Sequence, residues 1–213
     1  MKRIKYVLFV STMAAILYGV ELMRKHTEPL ALNGLAMEPV IHLVNSSDYY
    51  RAGEPDRAIE ELEHAIRKTM ILREEVRYKN SLNLIDRGLP IMVNLMNERH
   101  AMSEEKLNQS CANMFIALAY MQVYSAKISL QDRNTVDMKE SLSKAMYILK
   151  EVLTVTNGDS YTSGIAIYSN LSELKKREIQ NSKEFITELD SILEELQLVE
   201  ITLIDDYRLS SNF

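Results

Sequence analysis

The stretch CANMFIALAYMQVYSA, residues 111–126, decides the fold because it is almost wholly apolar and has the length of a helix. A helix that is apolar on every side has to be buried, either in a protein core or in a membrane. Asn113 and Gln122 interrupt the run, which is also shorter than the about 18 residues that indicate a membrane-spanning helix. We therefore expect residues 111–126 to form the central core helix of an all-α protein.

Signals for helix ends flank this stretch on both sides. Ser103 is a good N-cap, and the two glutamates that follow it lie in the first turn, where the helix dipole favours acidic side chains. The sequence Asp-Arg-Asn at 132–134 predicts a turn, after which Thr135 can cap the next helix. The sequence Asn-Gly-Asp at 157–159 predicts the end of that helix, and one or two long helices follow from Ser163.

The last helical region carries apolar residues at alternating spacings of four and three, which is a heptad-like pattern. These residues are Phe185, Leu189, Ile192, Leu196, Val199 and Leu203. The pattern covers about three heptads, so it fits either a coiled coil with a partner or packing within the chain's own bundle. We count Leu189, Ile192 and Leu196 as candidate protein contacts on the first reading.

Glycine and proline punctuate the first half of the chain. Gly53 suits the left-handed position that ends a helix, and Pro55 suits the first turn of the next one. The sequence Gly-Leu-Pro at 88–90 predicts a second break, followed by a short helix over residues 90–102. The chain has only six Gly and four Pro in 213 residues, and such sparse punctuation favours long helices over many short strands.

The first of these corners carries the residues of a known repeat. Tyr49 and Tyr50 precede Gly53, and the next helix reads Asp-x-Ala-Ile-x-x-Leu-x-x-Ala over residues 56–65. This pattern resembles a tetratricopeptide-like helical hairpin, with residues 40–72 as the matching part. The resemblance implies a superhelical scaffold that binds proteins. A second copy is expected about 34 residues on, and the Gly-x-Pro at 88–90 lies close to that spacing, although the residues after it depart from the pattern.

The N-terminal segment, residues 1–26, differs from the rest of the chain. Three basic residues precede an uncharged run that begins at Tyr6, and with Glu21 near its end the apolar stretch extends over residues 6–23. A basic start followed by an apolar run is shared by signal anchors and cleaved signal peptides, and an organellar presequence is a further alternative. On the signal-anchor reading, the distribution of basic residues favours a body outside the cytoplasm, which is the periplasm if the protein is bacterial, with an organellar membrane as the alternative.

The sequence thus predicts four regions in one chain: a signal anchor or signal peptide (1–26), a connector (27–39), an all-α body (40–207) and a frayed tail (208–213). The fold class we expect is a helical bundle or a short tetratricopeptide-like superhelix behind an N-terminal membrane helix.

Charge and motifs restrict the function. Residues 27–213 carry 20 basic and 29 acidic side chains, and such an acidic body argues against nucleic acid as a partner. Cys111 is the only cysteine and lies in the apolar stretch, where we expect an inert thiol. Glu61 and His64 have the spacing of di-iron ligands, but no second Glu-x-x-His accompanies them, so a solvated helix face is the preferred interpretation. We predict no catalytic residue, no cofactor and no specific small-molecule ligand.

Tyrosine supplies the remaining candidate contacts. Tyr49, Tyr50, Tyr120 and Tyr124 offer apolar area with a polar hydroxyl, which suits either a binding groove or the edge of a core. Together with the predicted anchor, these features indicate a non-catalytic, membrane-anchored scaffold or accessory subunit of a membrane protein complex. An exported soluble binding protein with a cleaved signal peptide is the first alternative, and a helical metal or redox enzyme is the second.

Overall fold

The computed structural model describes residues 34–210, with side chains for residues 34–207. Within this part of the chain the backbone forms helices and no strand. The α-helices are α1 (Met37–Arg51), α2 (Pro55–Glu75), α3 (Lys79–Asn97), α4 (Glu104–Gln131), α5 (Thr135–Val155), α6 (Gly158–Lys176) and α7 (Ser182–Ser210). A short 3-10 helix, Arg99–Ala101, joins α3 to α4. The prediction of an all-α fold is confirmed, and the arrangement is a helical bundle.

Helix α4 lies at the centre of this bundle. It packs against α1, α3, α5 and α7, while α2 covers α1 and α3, and α6 covers α5 and α7. Every side chain from 111 to 123 is buried. The predicted core helix is confirmed, because a helix with apolar residues around its whole circumference is stable in water only when neighbours cover every side.

The corner between α1 and α2 forms as the sequence predicts. Gly53 has a φ of 79°, a left-handed conformation that an L-residue rarely adopts. The amide of Glu54 donates a 2.9 Å hydrogen bond to the Tyr49 carbonyl, which closes the end of α1. Pro55 then opens α2 in its first turn, where a missing N–H breaks no hydrogen bond.

The predicted break at residues 88–90 is wrong. Gly88 and Pro90 both lie inside α3, and the chain instead breaks at residues 76–78, where Val76 is extended. A Cβ on Gly88 would lie 3.2 Å from Cε of Met114, so this glycine permits close packing of α3 on α4 and does not end a helix. The short helix predicted over residues 90–102 is therefore the second half of α3 together with the 3-10 helix.

Other helix ends agree with the sequence except in one detail. The Ser103 hydroxyl accepts a hydrogen bond from the Lys106 amide, as expected of an N-cap. The cap of α5 is Asn134, whose side chain accepts from the Asp137 amide, and not Thr135, which is the first residue of that helix. Two helices, α6 and α7, fill the region predicted as one or two.

The outer boundaries also shift slightly. Helix α1 begins at Met37, within the predicted connector 27–39, and α7 runs to Ser210, into the segment 208–213 predicted as a frayed tail. The predicted membrane segment, residues 1–26, lies outside the described residues. Among the helices over residues 34–210, none is both long and apolar enough to cross a membrane.

The tetratricopeptide-like resemblance stays a prediction for the hairpin of α1 and α2. That hairpin forms over the matching residues 40–72. The turn that a second copy needs is absent at Gly88, because α3 is continuous there.

Candidate functional site

The three predicted contacts of the heptad-like pattern lie in the core. Leu189, Ile192 and Leu196 are 0%, 2% and 0% exposed, respectively. Helix α7 packs on α4 and α6, and these leucine and isoleucine side chains belong to the core that the helices enclose. The heptad-like pattern therefore reflects packing within the chain's own bundle, the second of the two interpretations. These three side chains have no exposed area for a partner.

Two of the candidate tyrosines lie on α4. Tyr120 is 2% exposed and its hydroxyl lies 3.4 Å from Nε2 of Gln197, which donates to it from α7. Burial raises the pKa of Tyr120, while a hydrogen bond with Asn80 of α3 acts in the opposite direction. Tyr124 is half-buried, with its ring centroid 4.5 Å from that of Tyr78. These two tyrosines hold α4 to its neighbours.

The other two tyrosines end α1, and both are half-buried. The Tyr50 hydroxyl donates a 2.9 Å hydrogen bond to the Met102 carbonyl, which joins α1 to the start of α4. The Tyr49 ring lies 4.6 Å from the Arg57 guanidinium, a cation–π contact across the corner. All four tyrosines thus have partners within the chain, in agreement with residues at the edge of a core.

An exposed apolar surface lies instead on the outer side of α7. Leu198 is 65% exposed and Ile201 is 45% exposed. Residues three and four positions apart share one side of a helix, so Glu194 and Asp205 lie on the same stripe, one before and one after this pair. We call Leu198, Ile201 and the adjoining Ile204 the α7 face.

Grooves border the α7 face on both sides. One groove, about 420 Å³, lies between α3 and α7 and is lined by Pro90, Ile91, Ile201, Ile204 and Tyr207, among others. A second, about 310 Å³, lies between α6 and α7 and is lined by Ala166, Ile167, Leu198 and Val199, among others. The exposed side chains of α7 therefore form a ridge between two concave surfaces, a shape that another helix could pack against.

A buried acid of α7 pairs with Arg87, a residue that lines the first groove. Glu200 is 1% exposed, and its Oε2 lies 2.9 Å from Nη2 of Arg87, which is half-exposed on α3. Neither carboxylate oxygen of Glu200 makes a directed hydrogen bond with the described residues. Burial raises the pKa of Glu200, while Arg87 lowers it. A single half-exposed arginine offsets only part of the desolvation cost of a buried carboxylate, so Glu200 lowers the stability of the fold when it is ionised.

The Glu61 and His64 pair is part of a small cluster on α1 and α2. Nδ1 of His42 lies 2.6 Å from Oε2 of Glu61, and the rings of His42 and His64 stack with centroids 5.2 Å apart. Their planes are nearly parallel, so the ring nitrogens do not converge on a common point. In the described part of the chain, no group of three or more His, Cys, Asp or Glu is placed to hold a metal ion.

Cys111 has the environment of an inert thiol. It is 0% exposed, and its Sγ lies 3.9 Å from the Leu43 carbonyl. Burial raises the pKa of Cys111 to about 12, so the thiolate needed for nucleophilic chemistry does not form near neutral pH.

Sequence reasoning missed Leu198 and Ile201. Both are apolar residues of α7 that fall outside the heptad-like pattern, in a region where that pattern already supplies a complete buried side. One signal in the sequence could have identified them. Once the heptad-like residues are assigned to the core, Leu198 and Ile201 remain as apolar residues on the solvent side of the helix, where the bundle itself does not require them.

Comparisons with known proteins give no relative from which to transfer a function. No protein-family model matches the chain, and neither the curated proteins nor the solved structures contain a significant match.

Proposed function

We propose that this protein is a non-catalytic, membrane-anchored helical scaffold or accessory subunit of a membrane-associated complex. It acts by protein–protein contacts that its helical body makes, and residues 6–23 hold that body at the membrane. The body then lies outside the cytoplasm, in the periplasm if the protein is bacterial.

The α7 face is the observation that carries the proposal. Two large aliphatic side chains, Leu198 and Ile201, are 65% and 45% exposed beside grooves that are themselves partly apolar. Contiguous apolar area on the surface of a soluble domain marks a contact site more often than an isolated exposed residue does. The exposed Glu194 at one end of this face favours a partner surface that is apolar at its centre and basic at that edge.

The test uses the full-length protein, extracted from its native membranes with a gentle detergent and separated on a native gel. The variant Leu198→Asp with Ile201→Asp places charge at the centre of the α7 face, so the complex should be lost while the circular dichroism spectrum is retained. Val136→Asp is the matched control, because Val136 is 73% exposed on α5, outside the α7 face, and this variant should keep the complex.

Two results would contradict the proposal. The first is migration of the unmodified protein as a lone monomer, and the second is an unchanged complex in the double variant. Mass spectrometry of the mature N-terminus tests the anchor separately, since loss of residues 1–20 or more would replace the anchored subunit with an exported soluble protein.

A further inference from the structure

The C-terminal part of α7, residues 198–207, is held by fewer core side chains than the rest of the helix. Its buried apolar residues are Val199 and Leu203. The preceding part, residues 182–197, buries five apolar residues: Phe185, Leu189, Ile192, Leu193 and Leu196. Because buried apolar area is the main force that holds a helix on a core, residues 198–207 are the more easily detached part of α7.

Three hollows border residues 198–207. The two grooves beside the α7 face are lined by seven of these residues. A third cavity, of about 410 Å³, lies at the end of the bundle and is lined by Leu203, Asp206, Glu104 and Ser160, among others. Every residue from 198 to 207 except Glu200 lines one of the three. A side chain that faces a hollow lacks packing partners on that side, so this part of α7 is loosely packed.

Glu200 is buried in the middle of this loosely packed part. Its carboxylate has Arg87 of α3 as an ion-pair partner, and neither of its oxygens makes a directed hydrogen bond with the described residues. A buried carboxylate without hydrogen bonds is costly when it is ionised, whereas the protonated acid is neutral and costs far less. The position of residues 198–207 on the core therefore depends on whether Glu200 carries a proton.

The groups around Glu200 offset its charge only in part. The titratable and charged side chains of the neighbouring helices on this side of α7 are Asp86 and Arg87 of α3, Tyr120 of α4 and Asp159 of α6, together with Asp205 and Tyr207 of α7 itself. Burial is the larger effect on Glu200 and raises its pKa, while Arg87 lowers it. One half-exposed guanidinium thus opposes the desolvation of this carboxylate.

We propose that residues 198–207 form a pH-dependent latch, which we call the α7 latch. The latch lies on the core while Glu200 is protonated, and it detaches when Glu200 ionises, so that the carboxylate reaches water. Arg87 extends the docked state to higher pH, because it stabilises the ionised carboxylate in place. Detachment moves Leu198 and Ile201 away from their grooves and so regulates the α7 face. That consequence rests on the proposed function, whereas the latch itself is a property of the isolated chain.

The direction of the pH dependence follows from the two states of the latch. In the detached latch Glu200 is solvated and ionises near the ordinary pKa of a glutamate, about 4.3. Burial raises its pKa in the docked latch, so detachment releases a proton. Detachment therefore becomes more favourable as the pH rises above about 4.3, by at most about tenfold per pH unit for one proton.

Hydrogen exchange followed by mass spectrometry tests the latch on the full-length protein in detergent, without any partner, between about pH 5 and about pH 8. The rates are corrected for the intrinsic pH dependence of amide exchange. The protection factors of residues 198–207 should be lower than those of α4 at every pH and should fall as the pH rises, by up to about tenfold per pH unit. They should also be insensitive to urea at low concentration, because a detached latch exposes little surface.

Two results of this measurement would overturn the proposal. Equal protection of residues 198–207 and α4 would show that this part of α7 opens only when the whole bundle unfolds. Lower protection that does not change with pH would show fraying of a helix end, unrelated to Glu200. Neither result bears on the proposed membrane anchor or on a partner of the α7 face, so failure of the latch is distinguishable from failure of the proposed function.

Variants identify the groups that control the latch. Glu200→Gln should remove most of the pH dependence of protection in residues 198–207, while Glu194→Gln, on the exposed side of the same helix, should retain it. Arg87→Gln should lower the protection about fivefold near pH 8 and leave it almost unchanged near pH 5, because Arg87 acts on the ionised carboxylate. If Glu200→Gln does not fold, the Arg87→Gln comparison decides alone. An equal loss of protection at both pH values would make Arg87 a packing residue and refute the latch.

Discussion

Replacing Pro90 with alanine tests the continuity of α3, the element on which sequence and structure disagree most. Pro90 is the twelfth of the 19 residues of α3 and is exposed to solvent. A proline in the interior of a helix has no N–H to donate to the carbonyl four residues earlier, here that of Asp86, and its ring crowds that carbonyl. The variant Pro90→Ala should therefore stabilise the protein.

The magnitude follows from two opposing effects. Proline costs about 3 kcal/mol relative to alanine within a helix, and removing it gives the unfolded chain conformational freedom that lowers the free energy of unfolding by about 1 kcal/mol. The exposed ring contributes little burial. The net gain is about 2 kcal/mol, which corresponds to a rise in melting temperature of about 4–8 °C for a domain of this size.

Thermal unfolding followed by circular dichroism at 222 nm, with urea unfolding as a second measure, provides the assay. Pro55→Ala is the matched control, since Pro55 stands in the first turn of α2, where no N–H is needed. That variant should lose no more than about 1 kcal/mol, through the unfolded state alone. A melting temperature of Pro90→Ala that equals or falls below that of the unmodified protein would refute a continuous α3 and restore the break that the sequence suggests.

Two further variants address a buried charge and a helix cap. Burial raises the pKa of Glu200, so the folded protein keeps a proton there at pH values at which the unfolded chain has released it, and the free energy of unfolding falls as the pH rises through that window. Burial also raises the pKa of Glu151, so Glu200→Gln should reduce this fall without abolishing it. Glu194→Gln, on the exposed side of the same helix, should retain the full fall, as measured by urea unfolding between about pH 4 and pH 8. The same pH dependence in all three proteins would contradict the assignment. Asn134→Ala should cost about 1 kcal/mol in urea unfolding because it deletes the N-cap of α5, and Thr135→Ala should cost less than half of that; the reverse order would make Thr135 the cap.

Helix ends were predictable where a local rule acts without competition. Gly53 needs a left-handed conformation and Ser103 caps its own helix, so each signal is satisfied by atoms within a few residues. The same local rules failed at Gly88, because glycine serves two purposes. A helix that needs a close neighbour uses glycine for the space that its missing side chain leaves, and sequence does not distinguish that use from a helix end.

The candidate contacts were less predictable than the helices. Periodicity identified the apolar side of α7 correctly, but it could not state whether that side meets another protein or the chain's own α4. Burial decides the question for Leu196, at 0% exposed, and assigns the exposed role to Leu198, two positions further on. On a helix a shift of two positions rotates a side chain by about 200°, which carries it from the core to the solvent.

The all-α class, the central position of the apolar stretch 111–126 and the corner at Gly53 are readable from the sequence, because each follows from composition, periodicity or a turn within a few residues. The acidic character of the body is readable in the same way, since charge is a property of the chain before it folds. Three features become visible only in the packed helices: which apolar residues of α7 stay exposed, the burial of Glu200 beside Arg87, and the cavity that carboxylates of α4 and α7 line together with Ser160 of α6. Those features join residues that are up to about a hundred positions apart, so their proximity depends on which helices pack together. The packing of the helices is determined by the burial of apolar surface in the whole core, and no local segment of sequence specifies it.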